Sequence, residues 1–296
     1  MTMTNLGIVT DSCASIPDRL IDKLKIEWVP YYIHRGREVL RDLVTARSDV
    51  FYPWMLSAKS LPTTAAPGPG DYLAKYQEMV EHGIHEILSI HMTSKGSGAF
   101  QAAQAAKDML LEKMPDIKID VIDTMNVAMC HGWIAIEAAR AALDGVQRTE
   151  ILRRIDQMIP RAHMIQTADT LRYLYLGGRI GRATHLLGSM LNIKPLIGME
   201  DGVIVALGRA RSRSGAYEKI AELVEKAVGQ FGRIKAAFVH VAARAEAERL
   251  KELIESRVDC VESMIAELSP ALGVHSGPGT AGICYLQVPA DSRELP

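Results

Sequence analysis

The chain has 296 residues, of which 48% are hydrophobic and 23% charged, so it is long enough for two compact domains and too apolar to be disordered. A formal net charge of −1 excludes a general electrostatic attraction to nucleic acid or to anionic membranes, and we expect neither as a partner. Four dispersed cysteines without a CxxC pair, no signal-peptide pattern and no run of 18 apolar residues predict a cytoplasmic protein without disulfides or integral membrane segments.

The first half of the chain alternates predicted strands and helices. Strands are expected at residues 6–10, 27–33, 86–90 and 118–122, and helices at residues 49–58, 71–82, 99–113 and 129–143. A further helix is expected after Ser15, with Ser15 as its cap and Asp18 completing a capping box. Residues 35–37 predict a turn, in a hairpin expected near Tyr31 to Leu40. This alternation predicts an N-terminal domain, residues 1–160, with a parallel sheet between layers of helices. Such sheets bind ligands beyond the carboxyl ends of their strands, which here correspond to the loops at 10–12, 62–70, 91–98 and 123–126.

The second half has a different pattern. The turn at Asp201 and Gly202 is a strong hairpin signal, and we expect a strand pair after it, formed by residues 203–206 and the stretch after Gly208. Helices are expected at 216–228 and 245–256, and strands at 235–241 and 281–288. We therefore predict a C-terminal α+β domain, residues 161–296, with a mixed or antiparallel sheet. The predicted fold class is α/β, with two domains.

Three loops concentrate hydroxyl and glycine residues, at 62–70, 93–98 and 275–280. The second of these lies between a strand and a helix, where unpaired backbone N–H groups and the helix dipole favour an anion. Ser97 and Gly98 add a hydroxyl and a close backbone approach, so we expect a site for one anionic group held by neutral donors. Simple capping of the helix by Ser97 explains the same residues equally well.

Two enzyme interpretations of these loops are weaker. Residues 96–98 begin like a dinucleotide fingerprint, but Gln101 stands where the third glycine belongs. A Ser/His esterase or thioesterase would pair Ser97 with His275, but the G-x-S-x-G elbow is missing. The hydrolase interpretation stays open as the alternative function.

Two groups of charged or imidazole side chains have suggestive spacing. His82, His85 and His91 lie close in the sequence, but no further ligands complete a metal set, so we expect solvated loop histidines and no metal. The second group consists of Arg209, Arg211 and Arg213. These arginines alternate along a presumed strand and would therefore share one of its faces, which is either solvated or a docking surface for a partner or an anion.

Taken in order along the chain, several short motifs closely resemble those of the DegV-type fatty-acid-binding family, and the resemblance covers essentially the whole sequence. The motifs are Ile8-Val9-Thr10-Asp11-Ser12, residues 64–72, residues 93–101, Val121-Ile122-Asp123-Thr124, Asp169-Thr170-Leu171, Gly177-Gly178-Arg179-Ile180, Leu191-Asn192-Ile193-Lys194-Pro195 and residues 275–280.

The resemblance implies a carrier that holds one long-chain fatty acid, with no other cofactor. It further implies that the carboxylate is bound by Thr64, Ser97 and His275, and by the backbone N–H of Gly98. Bacterial members are expected to present the fatty acid to an ATP-binding kinase subunit related to dihydroxyacetone kinases, which forms an acyl phosphate for phospholipid synthesis. Arg179 is then the candidate that faces the partner or the phosphate, and the isolated protein is expected to catalyse nothing.

The sequence departs from the family pattern near the carboxylate. Ala65 and Ala66 replace the usual Ser and Gln, and Ala99 replaces the usual Thr. Fewer hydroxyls are therefore available than the family pattern supplies. Lys95 stands where a more apolar residue is usual, and we expect its side chain to point to solvent.

Overall fold

The computed structural model describes residues 5–58, 60–189, 193–230 and 232–289, and the motif residues Leu191 and Asn192 lie outside this part of the chain. Its strands are β1 (Leu6–Asp11), β2 (Glu27–Val29), β3 (Tyr32–Arg35), β4 (Glu38–Arg41), β5 (Thr63–Ala65), β6 (Glu86–His91), β7 (Lys118–Asp123), β8 (Ala162–Thr167), β9 (Lys194–Glu200), β10 (Val203–Ala210), β11 (Arg233–His240), β12 (Asp259–Glu267) and β13 (Ala281–Val288). Its α-helices are α1 (Asp18–Leu24), α2 (Ser48–Ser57), α3 (Pro69–Glu81), α4 (Ala99–Leu111), α5 (Met129–Leu143), α6 (Arg148–Met158), α7 (Arg172–Leu176), α8 (Arg213–Val228), α9 (Arg244–Glu255) and α10 (Pro270–Ser276). Short 3₁₀ helices occur at Ser12–Ala14, Ile159–Arg161 and Gly181–Ser189.

The N-terminal half contains a four-stranded sheet in the order β2-β1-β6-β7, and every neighbouring pair is parallel. Its inner strands are short apolar runs, and β6 is buried from Ile87 to His91. Strands covered on both faces have this composition because neither face meets water. Helices α3 and α4 pack on each other and on this sheet, and α5 contacts β1 and β6. The predicted parallel sheet is confirmed.

The C-terminal half contains a six-stranded mixed sheet in the order β10-β9-β8-β13-β11-β12. Only β11 and β12 pair in parallel, and the other described neighbours are antiparallel. The hairpin between β9 and β10 turns at Asp201 and Gly202, both with positive φ, as a tight two-residue turn requires. The strand pair expected at 203–206 and after Gly208 is wrong, because both segments belong to the single strand β10, which pairs with β9. Helices α8 and α9 pack on this sheet. The predicted fold class is therefore confirmed.

A third, antiparallel sheet in the order β4-β3-β5 corrects two predictions. The single strand expected at 27–33 is divided, because Pro30 has no backbone N–H and cannot continue a ladder. Its first part, β2, joins the parallel sheet, and its second part, β3, joins this small sheet. The expected loop at 62–70 includes β5, which pairs with β3 through Thr64 and Ile33.

Helix α5 lies at the centre of the molecule and contacts β8, β11 and β13 of the mixed sheet as well as the parallel sheet. Apart from Glu137 and Arg140 its residues are mostly apolar and buried, which is the pattern of a helix inside a core. Trp133 on α5 donates from Nε1 to the Cys284 carbonyl on β13, at 3.3 Å. One hydrophobic core therefore runs beneath both sheets, and the domain boundary at residue 160 stays a prediction. No helix in the described ranges is both long and apolar enough to cross a bilayer.

The start of α10 is held by side chains from the first half of the chain. Ser15 does not cap α1, which begins at Asp18 after Pro17, and its Oγ accepts the backbone N–H of Ser269 at 3.0 Å. Oδ1 of the buried Asp42 accepts the N–H of Ala271 at 3.0 Å. The hydroxyl of Tyr52 donates to the Leu268 carbonyl. These three bonds place α10 against the N-terminal half.

Asp42→Asn is expected to gain stability relative to the wild type as the pH rises. Burial raises the pKa of Asp42 to about 6, so in the folded state the carboxyl keeps a proton that the unfolded chain releases near pH 4. Between pH 4 and pH 6 this costs the wild type on the order of 1–3 kcal/mol of unfolding free energy. Asparagine does not titrate and still offers Oδ1 to Ala271. Urea unfolding of both proteins at pH 4 and pH 7 measures the difference.

The matched control is Asp116→Asn, at an exposed carboxyl. It should reproduce the pH dependence of the wild type. Parallel pH profiles for Asp42→Asn and the wild type would contradict the expectation.

Candidate functional site

A cavity of about 290 Å³ lies where the parallel sheet, the small sheet, the mixed sheet and α10 meet. Its lining includes residues that follow the carboxyl ends of β1, β2, β6 and β7, namely Cys13, Tyr31, Met92 and Val127. This is the position that open parallel sheets use for ligands. Much of the remaining lining is apolar and comes from the second half of the chain, including Met164, Leu174, Ile197, Met199, Ile204 and Leu272.

All five residues that the sequence singles out line this one cavity. They are Thr64, Ser97, Gly98, Arg179 and His275. They come from β5, from the loop before α4, from the turn after α7 and from the last turn of α10. The fold therefore collects polar groups that lie up to 211 residues apart in the sequence.

Thr64 and His275 form a direct pair, with Thr64 Oγ1 and His275 Nε2 separated by 2.7 Å. Thr64 is fixed by the pairing of β5 with β3, and His275 by the position of α10. Burial, and then the nearby Arg179 guanidinium, lower the pKa of His275 to about 4. The imidazole is therefore neutral near pH 7, and the pair offers uncharged hydrogen-bonding groups to the cavity.

Gly177 lets His275 reach this position. A Cβ on Gly177 would lie 2.2 Å from His275 Nδ1, which is closer than any real contact. The imidazole packs directly against the backbone of the turn that follows α7. Nδ1 has no hydrogen-bond partner among the described residues.

Ser97 lies in the loop before α4, whose first residue is Ala99. Its Oγ accepts the backbone N–H of Ala99 at 3.2 Å, so the serine does satisfy the helix start. The same Oγ lies 2.5 Å from the hydroxyl of Tyr31 and borders the cavity. Capping and facing the cavity are therefore compatible, and Gly98 lies beside both groups with open space where a Cβ would be.

Tyr31 is a polar site residue that the sequence did not reveal. It is buried, lines the cavity and follows Pro30, whose break of the predicted strand turns the chain there. Its backbone N–H donates to Ser12 Oγ at 3.1 Å, which fixes the residue against the end of β1. The available signal was Pro30 itself, since a proline inside a predicted strand argues for a strand end.

Arg179 is exposed at the rim of the cavity. Its Nη1 donates to the Gly177 carbonyl at 2.7 Å, and its Nε donates to the Gly96 carbonyl at 3.4 Å. The guanidinium therefore bridges the turn after α7 and the loop before α4. No carboxylate of the described residues forms a salt bridge with it.

Lys95 is exposed, and its side chain also contacts the mixed sheet. Its ammonium donates to the Asp201 carbonyl at 2.7 Å, in the hairpin between β9 and β10. Thr93 Oγ1 donates to the Gly202 carbonyl of the same hairpin at 2.9 Å. The loop before α4 is thus tied to the mixed sheet, and the Lys95 charge is engaged at that junction.

The histidines at 82, 85 and 91 do not form a cluster. His91 is fully buried at the end of β6, which corrects the expectation of a solvated loop residue. Its Nδ1 lies 3.1 Å from Asp11 Oδ2 and its Nε2 lies 2.7 Å from Ser89 Oγ. His82 is exposed at the end of α3. The described residues contain no group of three or more side chains arranged to hold a metal ion.

The three arginines expected on one strand face also separate. Strand β10 ends at Ala210, and Arg213 is the first residue of α8. Arg213 Nη2 lies 2.7 Å from Asp169 Oδ1, and its Nη1 donates to the Gly279 carbonyl at 2.8 Å. The expected alternation is wrong because the chain bends at Arg211 and Ser212.

The fold and the cavity define a class of α/β proteins in which a parallel sheet and a mixed sheet share an apolar cavity with neutral polar groups at its wall. The chain belongs to the DegV family. Residues 5–288 match the model of this family, which is described as an uncharacterised protein family.

Relatives match along nearly their whole length. A DegV domain-containing protein of Clostridium perfringens is 33% identical, over 94% of this chain and 97% of its own. Among solved structures, the fatty-acid-binding DegV family protein of Thermus thermophilus has a TM-score of 0.88 at 28% identity, over 96% of this chain and 99% of its own. The stearic-acid-binding protein of Eubacterium ventriosum has a TM-score of 0.87 at 25% identity, over 95% of this chain and 98% of its own.

Gly177→Ala is expected to displace His275 and raise its pKa from about 4 towards the ordinary value. The added methyl group occupies the space of Nδ1, so the imidazole must leave Thr64 and move towards water. NMR titration of the histidine ring nitrogens measures the pKa. Gly70→Ala, where a Cβ meets nothing within 4 Å, is the matched control and should leave the titration unchanged. An unchanged His275 pKa in Gly177→Ala would show that the packing against this turn does not set it.

Proposed function

We propose that this protein binds one long-chain fatty acid, with its carboxylate at Thr64, Ser97, Gly98 and His275 and its acyl chain among the apolar residues of the cavity. The observation that carries the proposal is the presence of these neutral polar groups in the wall of one largely apolar cavity. Relatives that share the fold over their whole length are fatty-acid-binding proteins, which supports the same ligand class.

The binding free energies expected for a fatty acid fit a cavity lining that is largely apolar and has a few polar groups. Burial of roughly 14 methylenes at about 0.8 kcal/mol each contributes on the order of 11 kcal/mol. A charge-assisted hydrogen bond contributes only about 1–3 kcal/mol. The tail therefore supplies the affinity, and Thr64, Ser97 and His275 fix the orientation of the head. They are nevertheless required, because an unpaired buried carboxylate costs several kcal/mol.

We further propose that the bound carboxylate is presented to an ATP-binding kinase subunit related to dihydroxyacetone kinases, which converts it to an acyl phosphate for phospholipid synthesis. Neutral donors leave the carboxylate nucleophilic, whereas a close arginine pair would hold its charge. Arg179 supports this proposal by its position, since it is exposed at the rim and beside His275. There it can meet a phosphoryl group that arrives from outside.

The alternative, a Ser/His esterase or thioesterase, lacks the contacts that nucleophilic catalysis needs. Ser97 pairs with Tyr31, and the hydrogen-bonding partner of His275 is Thr64. His275 Nδ1 has no partner in the described part of the chain to orient it. A serine nucleophile is activated by a hydrogen-bonded base that a third group orients in turn.

Purified protein is expected to carry a long-chain fatty acid. Native mass spectrometry should show the protein mass plus one acyl-chain mass, and a solvent extract should identify the acid. The isolated protein should not hydrolyse acyl esters or acyl thioesters. Turnover of such esters that disappears in Ser97→Ala would favour the hydrolase instead.

His275→Ala and Arg179→Ala are expected to lower acyl-phosphate formation by at least tenfold each, for different reasons. The first variant loses the imidazole that is hydrogen-bonded to Thr64, and the second loses the cation at the rim of the cavity. Acyl phosphate formed with ATP and the kinase subunit can be trapped with hydroxylamine and counted as the hydroxamate. Arg172→Ala, at an exposed arginine of the neighbouring helix α7 outside the cavity lining, is the matched control. Full activity of His275→Ala would remove the proposed role of that histidine.

A further inference from the structure

The Ser97 hydroxyl makes two hydrogen bonds with other residues of the protein. A serine hydroxyl donates one hydrogen bond and accepts two. One acceptor position is taken by the backbone N–H of Ala99 at 3.2 Å. A second contact, at 2.5 Å, joins Ser97 Oγ to the hydroxyl of Tyr31. The direction of this second bond decides where the Ser97 proton points.

Tyr31 is the better donor of the two. A phenol is far more acidic than an aliphatic alcohol, so it donates more strongly and accepts more weakly. Burial raises the pKa of Tyr31 well above its ordinary value, so the phenol keeps its proton. With Tyr31 as donor, both acceptor positions of Ser97 are filled from the protein. The one remaining position is its own O–H, on a residue that borders the cavity.

We propose that Tyr31 is a positioning residue that turns the Ser97 O–H towards the head group of the bound lipid, so that the site prefers a head group that can only accept hydrogen bonds. This inference rests on the proposed binding of a fatty acid. An ionised carboxylate is such an acceptor. A hydroxyl head group gains less, because its own proton finds no acceptor on Ser97.

The contacts and burial of Tyr31 hold its side chain in one position. The backbone N–H of Tyr31 donates to Ser12 Oγ at 3.1 Å, and its side chain is only 5% exposed. The ring and the hydroxyl are therefore held before the lipid arrives. The neighbouring lining residues Ala65 and Ala66 carry no hydroxyl, and the hydroxyls of the lining residues Thr93 and Thr280 donate to backbone carbonyls.

Tyr31→Phe tests the inference, because it keeps the ring in the lining and removes only the donor. The ligands are palmitate and 1-hexadecanol, which have the same tail length, titrated into delipidated protein. We expect the Kd for palmitate to rise roughly five- to tenfold, the value of one net hydrogen bond. The Kd for hexadecanol should change by less than about twofold, since an alcohol can donate to the acceptor position that the phenol vacates.

The matched control is Tyr72→Phe. Tyr72 is also fully buried, but it lies outside the cavity lining and its hydroxyl has no partner among the described residues. It should change neither Kd. Equal weakening of palmitate and hexadecanol in Tyr31→Phe would show a structural role only and overturn the inference.

A double-mutant cycle keeps the inference falsifiable if Tyr31→Phe is less stable. In a Ser97→Ala background, Tyr31→Phe should change palmitate binding by less than about twofold, because the hydroxyl it orients is gone. Additive losses in the double variant would overturn the inference.

If the wild type binds neither ligand, the proposed fatty-acid function fails as well. If the wild type binds palmitate and Tyr31→Phe leaves that binding unchanged, only the role of Tyr31 is refuted.

Discussion

The candidate site depends on the bonds that hold the start of α10 against the first half of the chain. Ser15 and Asp42 accept backbone N–H groups there, and Tyr52 donates to a carbonyl just before them. Because α10 is only seven residues long, fixing its first turn also fixes His275 in its last turn. The contact between His275 and Thr64 therefore depends on bonds made at the other end of the helix. A change at the buried Asp42 would be felt at a site that it does not touch.

Much of this architecture could be predicted from the sequence, because its signals are local. The alternation of apolar runs and helices predicted the parallel sheet, and the Asp201-Gly202 turn predicted the hairpin of the mixed sheet. Of the short antiparallel sheet, the hairpin of β3 and β4 was expected near Tyr31 to Leu40. Its third strand, β5, was missed because it has only three residues, too few for a periodic pattern. Its pairing is set by packing against α10, which no local pattern records.

In the polar site, too, the residues could be predicted from the sequence but their long-range contacts could not. The resemblance to a family implied Thr64, Ser97, Gly98 and His275 for the carboxylate and Arg179 for the partner or the phosphate, and all five border one cavity. The contact of Lys95 with a carbonyl 106 residues away was not predicted, because long-range bonds to backbone atoms leave no trace in composition. The predicted carboxylate contacts themselves stay a prediction, since they require the ligand.

Two hydroxyls that border the cavity each contact a second neutral side chain, Ser97 with Tyr31 and Thr64 with His275. Burial keeps both supporting groups uncharged, by opposite shifts. It raises the pKa of the phenol and lowers the pKa of the imidazole to about 4. Over the pH range in which a fatty acid is ionised, the carboxylate of the proposed ligand would be the only charge among these groups. Such groups would orient that charge without neutralising it, which suits the phosphorylation proposed above.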